Sequence, residues 1–339
     1  MTGWRSPLAA ALVLLGLGVP GGAAAAEGDG EPLFAFADRE IAESSGLVDA
    51  GDVVHTVNDS GSGPVLYTVD VSTGATTGRT TFTDGEVVDV EALAPGRDRT
   101  VWVGDIGDNA ASRDSVSLYR VRPGQGGAAR LDLTYPDGPR DAEALLAHPR
   151  TGRLFVVSKT VFGGTVYAVP AGAAPGETTT LREFARVTGL VTDGAFLPDG
   201  RHVVLRSYGT ATVYSFPGFE PRGTVALPEQ RQGEAIAVGA DGRVLLSSEG
   251  VGAEVLQVVL PPRLTSGPEP AGSAPAPSPD ASSSATSPPA TSGADAGEPR
   301  ERSGPYAHPA AFALRVVAGL VLLGTLGYGL RRTWRGRRG

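Results

Sequence analysis

The chain has 339 residues, no cysteine and a formal net charge of −8, from 29 basic and 37 acidic residues. Because no disulfide can form, a folded core must be held together by packing alone. The acidity disfavours binding to nucleic acid and suits divalent cations or cationic partners, although acidic residues also serve solubility.

The N-terminal residues 1–26 are typical of a secretory signal. Arg5 gives a short basic start, the apolar run LAAALVLLGLGV follows, and AAAA precedes Glu27. A small-residue cleavage site after such a run predicts export of the chain.

The C-terminal part predicts a membrane anchor. Residues 310–330 carry one charge, Arg315, and are long enough to span a bilayer. The tail 331–339 holds five arginines, which the positive-inside rule places in the cytoplasm. Residues 263–304 are rich in Pro, Ser and Ala and predict a disordered stalk. We therefore expect a single-pass protein of the cell membrane whose globular part, residues 33–262, is extracellular.

Within residues 33–262 one pattern occurs five times, an acidic residue followed by small and apolar residues. The copies are ESSGLV, VEALA, AEALLA, TDGAFL and GEAIAV. Their acids lie 41 to 52 residues apart and are Glu43, Glu91, Glu143, Asp193 and Glu234. A turn and two more apolar runs follow each copy, as in APGRD, TVWVGD and SLYRV. Short strands with regular turns at this period predict a β-propeller.

The repeats predict how the ring closes. Fourth strands are visible in four repeats, but the fifth ends at Pro261 without one, while LFAFADREI (33–41) has no hairpin partner. We expect this segment to supply the outer strand of the last blade. The predicted fold is therefore an all-β, five-bladed propeller; six blades with one degenerate blade, or a β-sandwich, are the alternatives.

In a propeller the first strand of each blade lines the central channel, so the five acids converge on one mouth. The ends of the second strands surround that mouth. Aligning these ends gives one column of polar residues, namely Asp59, Asp105, Lys159, Tyr208 and Glu249. The stretch NDSG, which contains Asp59, is thus predicted to be one copy of a polar rim.

Clustered carboxylates repel one another unless a cation or raised pKa values relieve them. Ca²⁺ suits such a place, since it takes six to eight oxygen ligands in loose geometry. The alternative is that the acids cap strand ends by accepting hydrogen bonds from the backbone. Lys159, the single lysine of the chain, and Arg206 give the rim a basic side that could hold an anion such as phosphate.

The order ESSGL…VNDSG, VEALA…VGDIGDN, AEALL…VVSK, TDGAF…LRS, GEAIAV…SSEG resembles secreted five-bladed propellers of the calcium-activated nucleotidase (apyrase) type, and more closely secreted propellers of high-GC bacteria. The central acids also resemble those of propeller phytases. The nucleotidase resemblance implies a central Ca²⁺ held by serines and glutamates at the starts of the inner strands. The matching positions here are Ser45, Glu91, Glu143 and Glu234, with the fourth blade contributing Thr192 or Asp193. It also implies a role for Asp59 near the metal.

Two functions of different classes follow from these observations. One is a binding or scaffold module of the cell envelope that recognises a protein or glycan on the face bearing the acids. The other is a Ca²⁺-dependent phosphoester hydrolase, with Asp59, Lys159 and Arg206 as the candidate catalytic residues. The absence of a recognisable catalytic motif favours the binding module.

Overall fold

The structure, a computed structural model, describes residues 30–59 and 61–266. The predicted signal, most of the stalk, the apolar stretch 310–330 and the basic tail lie outside these residues. In the part that is described, no helix is both long and apolar enough to cross a membrane.

Five sheets follow one another along the chain, and each forms one blade built on four antiparallel strands. The innermost strands are β2 (Ser44–Asp49), β6 (Val90–Pro95), β10 (Ala142–Ala147), β15 (Asp193–Phe196) and β19 (Gly233–Val238). The second strands are β3 (Val53–Asn58), β7 (Val101–Asp105), β11 (Leu154–Ser158), β16 (His202–Arg206) and β20 (Val244–Ser248). The third strands are β4 (Val65–Asp70), β8 (Val116–Arg122), β12 (Gly163–Ala168), β17 (Thr210–Ser215) and β21 (Glu254–Val258). The outer strands are β5 (Thr76–Thr81), β9 (Gln125–Thr134), β14 (Arg182–Thr188), β18 (Pro221–Ala226) and β1 (Glu31–Ala35).

The closure predicted from LFAFADREI is confirmed. Strand β1 pairs antiparallel with β21, so the N-terminal strand completes the sheet formed by the last three strands. The five-bladed, all-β architecture is therefore as the repeats predicted.

Two elements go beyond the prediction. Strand β13 (Thr178–Thr180) adds to blade 2 by pairing in parallel with β9, although in the chain it lies between β12 and β14 of blade 3. After β21 a short helix, α1 (Pro262–Thr265), packs the buried Leu264 against blade 4. The folded unit thus extends a few residues into the segment predicted to be stalk.

Hydrophobic packing lies between the blades. Each of five clusters of buried side chains joins two neighbouring sheets, and together they close a ring. Because the inner strands of the sheets are covered on both faces, several of them read as nearly continuous apolar runs, such as AEALLA in β10 and LFVVS in β11, instead of alternating ones. Burial of this area replaces the disulfides that the sequence excludes.

The starts of the innermost strands and the ends of the second strands lie at one edge of the ring. We call this edge the upper mouth of the channel and the opposite edge the lower mouth.

Candidate functional site at the upper mouth

The upper mouth is built by a bulge that recurs in the first hairpin of the blades. Pairing shifts by one residue between Ser44 and Gly46, between Val90 and Ala92, and between Ala142 and Ala144. A similar shift occurs in blade 5, after Gly233. A bulge re-aims the extra residue, and the extra residues are Ser45, Glu91, Glu143 and, in blade 5, Glu234.

In blade 4 the equivalent residue is Thr192, and not Asp193. The hydroxyl of Ser45 donates to the Glu91 carbonyl of the next blade at 2.7 Å. In the same way, the hydroxyl of Thr192 donates to the Glu234 carbonyl of the next blade at 3.0 Å. The ring at the mouth, which we call the inner ring, is therefore Ser45, Glu91, Glu143, Thr192 and Glu234.

Asp193, predicted as a metal ligand, lies in the wall of the propeller. Its side chain is completely buried, and one carboxylate oxygen accepts a hydrogen bond from the Ile236 backbone N–H at 2.8 Å. The other oxygen has no hydrogen-bond partner among the described residues. Burial raises the pKa of Asp193 well above its usual range, so this carboxyl serves the packing of blades 4 and 5.

Glu43, also predicted as a ligand, stands two residues before the inner ring. The backbone N–H of Asp59 donates to its carbonyl at 2.9 Å. The carbonyls of Asp89 and Asp141 accept from Gly107 and Lys159 in the same way. Glu43, Asp89 and Asp141 are therefore the equivalent acids of blades 1 to 3, one step farther out than the inner ring.

Three carboxylates meet at the mouth between blades 1 and 2. Oxygen atoms of Asp59, Asp89 and Glu91 all lie within 4.8 Å of one another, and we call these residues the acidic cluster. The Ser45 hydroxyl lies 3.3 Å from Glu91 Oε2. A Cβ atom at Gly107 would come within 2.5 Å of carboxylate oxygens of both Asp89 and Glu91, so a glycine is needed to leave room beside them.

The acidic cluster fits a hard divalent cation. Its donors are carboxylate and hydroxyl oxygens, which Ca²⁺ prefers, and backbone carbonyls and water can complete six to eight ligands. No cysteine or histidine belongs to the cluster, so its donors do not resemble those of a zinc site.

The electrostatics of the mouth favour taking up positive charge. Burial, together with the carboxylates of Glu143, Asp59 and Asp89, raises the pKa of Glu91 to about 10. Burial and Glu143 also raise the pKa of Glu234 to about 8. In the absence of a cation both carboxyls hold protons at neutral pH, and a divalent ion bound at the acidic cluster would displace the proton of Glu91.

Lys159 lies at the mouth, as predicted, but its ammonium group forms an ion pair with Glu143. Its ammonium nitrogen lies 2.5 Å from Glu143 Oε1, and its side chain is 20% exposed. Burial opposes the charged form of the lysine, yet Glu143 raises the pKa of Lys159 above its ordinary value. The lysine therefore neutralises the inner ring on the side of blade 3.

Arg206, predicted to face an anion across the rim, lies in the wall between blades 4 and 5. It is 1% exposed. Its guanidinium donates to the carbonyls of Ala235 and Ser247 and to the side chain of Gln230, at 2.5 to 2.8 Å. The predicted basic arc is therefore reduced to Lys159.

The structure also corrects one member of the aligned polar residues at the second-strand ends, namely Asp105 in blade 2. Asp105 pairs with Val90 as Asn58 pairs with Ser44. Asn58 accepts from the backbone N–H of Glu43, and Asp105 accepts from that of Asp89 at 2.9 Å. Asp105 is thus a capping residue of the Asn58 type, and it holds the loop that carries Asp89.

Asp89 and Gly107 are the site residues that the sequence reasoning missed. A signal for Asp89 was present, because the segments DVE (89–91) and DAE (141–143) place two acids two residues apart. Residues at that spacing point to the same face of a strand.

The titration of Glu234 predicts a pH dependence of stability. Its pKa is higher in the folded protein, at about 8, than the ordinary value of 4.5. The folded state therefore retains this proton longer than the unfolded state, so the stability contributed by this group is greatest at low pH and is lost as pH rises to about 8. The glutamine in Glu234→Gln cannot titrate. We therefore expect the free energy of unfolding of this variant to rise relative to that of the wild type between about pH 4.5 and 8. Metal-free chemical denaturation at several pH values measures this difference, and a difference that is independent of pH would contradict it.

No protein-family model matches the chain, and no curated protein matches it. Among solved structures, a gluconolactonase of Xanthomonas campestris, described as important in glucose secondary metabolic pathways, is 18% identical with a TM-score of 0.41. The match covers 62% of this chain and 70% of that chain. A likeness of this size carries no information about activity.

Proposed function

We propose that this protein is a Ca²⁺-binding recognition module of the cell envelope, exported by residues 1–26 and held at the membrane by residues 310–330. The acidic cluster binds the ion, and the face around it binds a protein partner. The observation that carries this proposal is that the acidic cluster and most of the exposed apolar side chains share one face of the propeller.

The apolar side chains give this face the character of an interaction surface. Of the six large hydrophobic residues that are exposed in the described ranges, five lie in loops at the upper mouth: Val88, Val161, Phe162, Tyr208 and Val251. The sixth, Val259, follows β21 at the opposite edge. Exposed apolar groups gathered beside polar ones are typical of protein interaction sites.

Recognition is favoured over phosphoester hydrolysis by the same geometry. A hydrolase of the kind considered above needs cationic groups free to hold the phosphate opposite the metal. Arg206 is buried against backbone carbonyls, and Lys159 is paired with Glu143. Asp59 alone of the three candidate catalytic residues belongs to the acidic cluster.

Calorimetric titration with Ca²⁺ tests the metal site. The wild-type chain, stripped with a chelator, is expected to bind one ion at this mouth, and Asp89→Asn is expected to weaken binding about tenfold or more because it removes a charged ligand. Asp84→Asn, a change at an exposed carboxylate of the same loop, is the matched control and should bind as the wild type does. Absence of binding by the folded wild type, or equal affinities for the two variants, would contradict the site.

Site-specific photocrosslinking in intact cells tests the recognition face. A photoreactive residue at Phe162, which is 81% exposed, is expected to crosslink one partner, and less of it when Ca²⁺ is chelated. The same residue at Val259, which is 80% exposed, is the control at the opposite edge. Equal crosslinking from both positions would show that the upper face has no special role.

A further inference from the structure

The lower mouth of the propeller contains a cavity of about 600 Å³. It is lined by the ends of the innermost strands or the turns that follow them in all five blades, at Asp49, Pro95, Ala147, Phe196 and Val238. This volume lies in the range of small-molecule sites.

An apolar constriction separates this cavity from the acidic cluster. Next to it in the channel lies a small cavity of only about 20 Å³, lined mainly by apolar residues, among them Leu47, Leu93, Leu145 and Ile236. That space is roughly enough for one water molecule. A ligand in the lower cavity therefore contacts none of the residues proposed to bind the ion at the upper mouth.

The two mouths carry opposite charge. Arg97 and Arg120 line the lower cavity, and neither forms an ion pair with any described residue. Asp49 is the single carboxylate in the lining, and both of its oxygens already accept from Arg243, at 2.5 and 2.6 Å. The unneutralised charge in the lining of this cavity is therefore positive.

The guanidinium groups of both arginines contact neighbouring residues. Arg97 donates from Nη2 to the Arg150 carbonyl at 3.0 Å, and its side chain lies over Gly152, where an added Cβ would come within 3.0 Å of Nε. The guanidinium of Arg120 lies 6.0 Å from the centre of the Trp102 ring. Because Arg97 is already hydrogen-bonded, its side chain loses less freedom on binding a ligand, which supports affinity.

An apolar groove continues outward from the same residues. Trp102, Arg120, Thr151 and Gly152 line both the lower cavity and a groove of about 580 Å³ between blades 2 and 3. The rest of the groove is lined by Arg153 and otherwise by apolar residues, among them Leu131, Leu154, Val169 and Ala173. The cavity could therefore hold the charged group of a ligand while the adjoining groove holds its apolar part.

We propose that the lower mouth binds an organic anion that bears an apolar moiety. Arg97 and Arg120 hold the carboxylate or phosphate through charge-assisted hydrogen bonds, and the apolar part lies on Trp102 and in the groove between blades 2 and 3. The proposal uses none of the residues of the upper mouth.

Binding of three probes to the full chain tests this proposal by calorimetry. The aromatic anion 2-naphthoate has both parts, 2-naphthamide lacks the charge, and acetate lacks the apolar part. Naphthoate is expected to bind with a dissociation constant below about 1 mM, and each of the other probes about tenfold or more weakly. Higher ionic strength should weaken naphthoate binding, because both arginines are exposed to solvent.

Variants locate the site. The double variant Arg97→Gln/Arg120→Gln should bind naphthoate no better than the wild type binds naphthamide. Ala173→Phe fills the groove and should also weaken naphthoate binding. Arg186→Gln is the control. Arg186 lies in the outer strand of blade 3, away from this mouth, and its side chain is 76% exposed. Near-ultraviolet circular dichroism verifies that each variant is folded. The proposal is overturned if the folded wild type binds no naphthoate, if naphthamide binds equally well, or if the double variant binds as the control does.

Discussion

Replacing Arg206 with methionine is expected to lower the free energy of unfolding by about 3–5 kcal/mol, the usual cost of breaking a buried charged network. The substitution keeps most of the side-chain volume but removes the donors to the Ala235 and Ser247 carbonyls. It also removes the cation nearest to the buried Asp193. Although burial lowers the pKa of Arg206 to about 10, the group is still charged at neutral pH. Chemical denaturation of the wild type and the variant measures the loss.

Arg201→Met is the matched control for that measurement. Arg201 precedes β16, its side chain is 67% exposed, and its contact with Asp199 is long, at 3.9 Å. A change within about 0.5 kcal/mol is expected there. If Arg206→Met proved as stable as Arg201→Met, Arg206 would not be a structural clamp between blades 4 and 5, and its placement in the wall would be wrong.

Replacing Lys159 with methionine is expected to have opposite effects on stability and on metal binding. Without metal, the variant leaves Glu143 beside the other inner-ring carboxyls without its cation and should be less stable by about 1–3 kcal/mol, a value reduced for the partial exposure of the pair. With Ca²⁺, the loss of a competing positive charge should strengthen binding about tenfold. Denaturation in chelator and calorimetry with Ca²⁺ measure the two effects separately.

Lys159→Arg preserves the charge and serves as the control, with Ca²⁺ affinity close to that of the wild type. The interpretation of Lys159 as a built-in counter-ion fails if the methionine variant binds Ca²⁺ no more tightly than the wild type. It fails equally if both substitutions change the affinity by the same factor.

The fold followed from the sequence because its signals are local and repeated. The acid-plus-apolar pattern and the turns after it recur in every blade. The segment 33–41 had no hairpin partner and the last blade lacked an outer strand, so the two could be matched. Strand β13 could not be foreseen, since TTT (178–180) has no apolar pattern and pairs with a strand of the preceding blade.

The candidate site was predicted less exactly because bulges shift the register by one residue. Aligning the repeats on their first acidic residue placed Glu43 and Asp193 in the ring, whereas the pairing of the strands places Ser45 and Thr192 there. A bulge adds a residue without changing the polarity pattern, so composition alone does not reveal it. The prediction placed Glu91, Glu143 and Glu234 correctly, because in their repeats the first acidic residue of the aligned pattern is also the extra residue of the bulge.

The opposite behaviour of Lys159 and Arg206 has a similar cause. Both end or follow a second strand, but the first hairpin of blade 4 pairs regularly, with Asp193 opposite Arg206 and no bulge. The side chain of Arg206 enters the space next to blade 5, where Gly233 leaves room for it; an added Cβ there would come within 2.0 Å of Nη2. Long-range fit of this kind is not visible in a single repeat.

The most direct test of the central claim is a crystal structure of the propeller grown with Ca²⁺, with anomalous diffraction data to identify the ion. We predict one Ca²⁺ at the upper mouth, bound by carboxylate oxygens of Asp59, Asp89 and Glu91, with Lys159 still paired to Glu143. An upper mouth that holds no ion at millimolar Ca²⁺ would contradict the account.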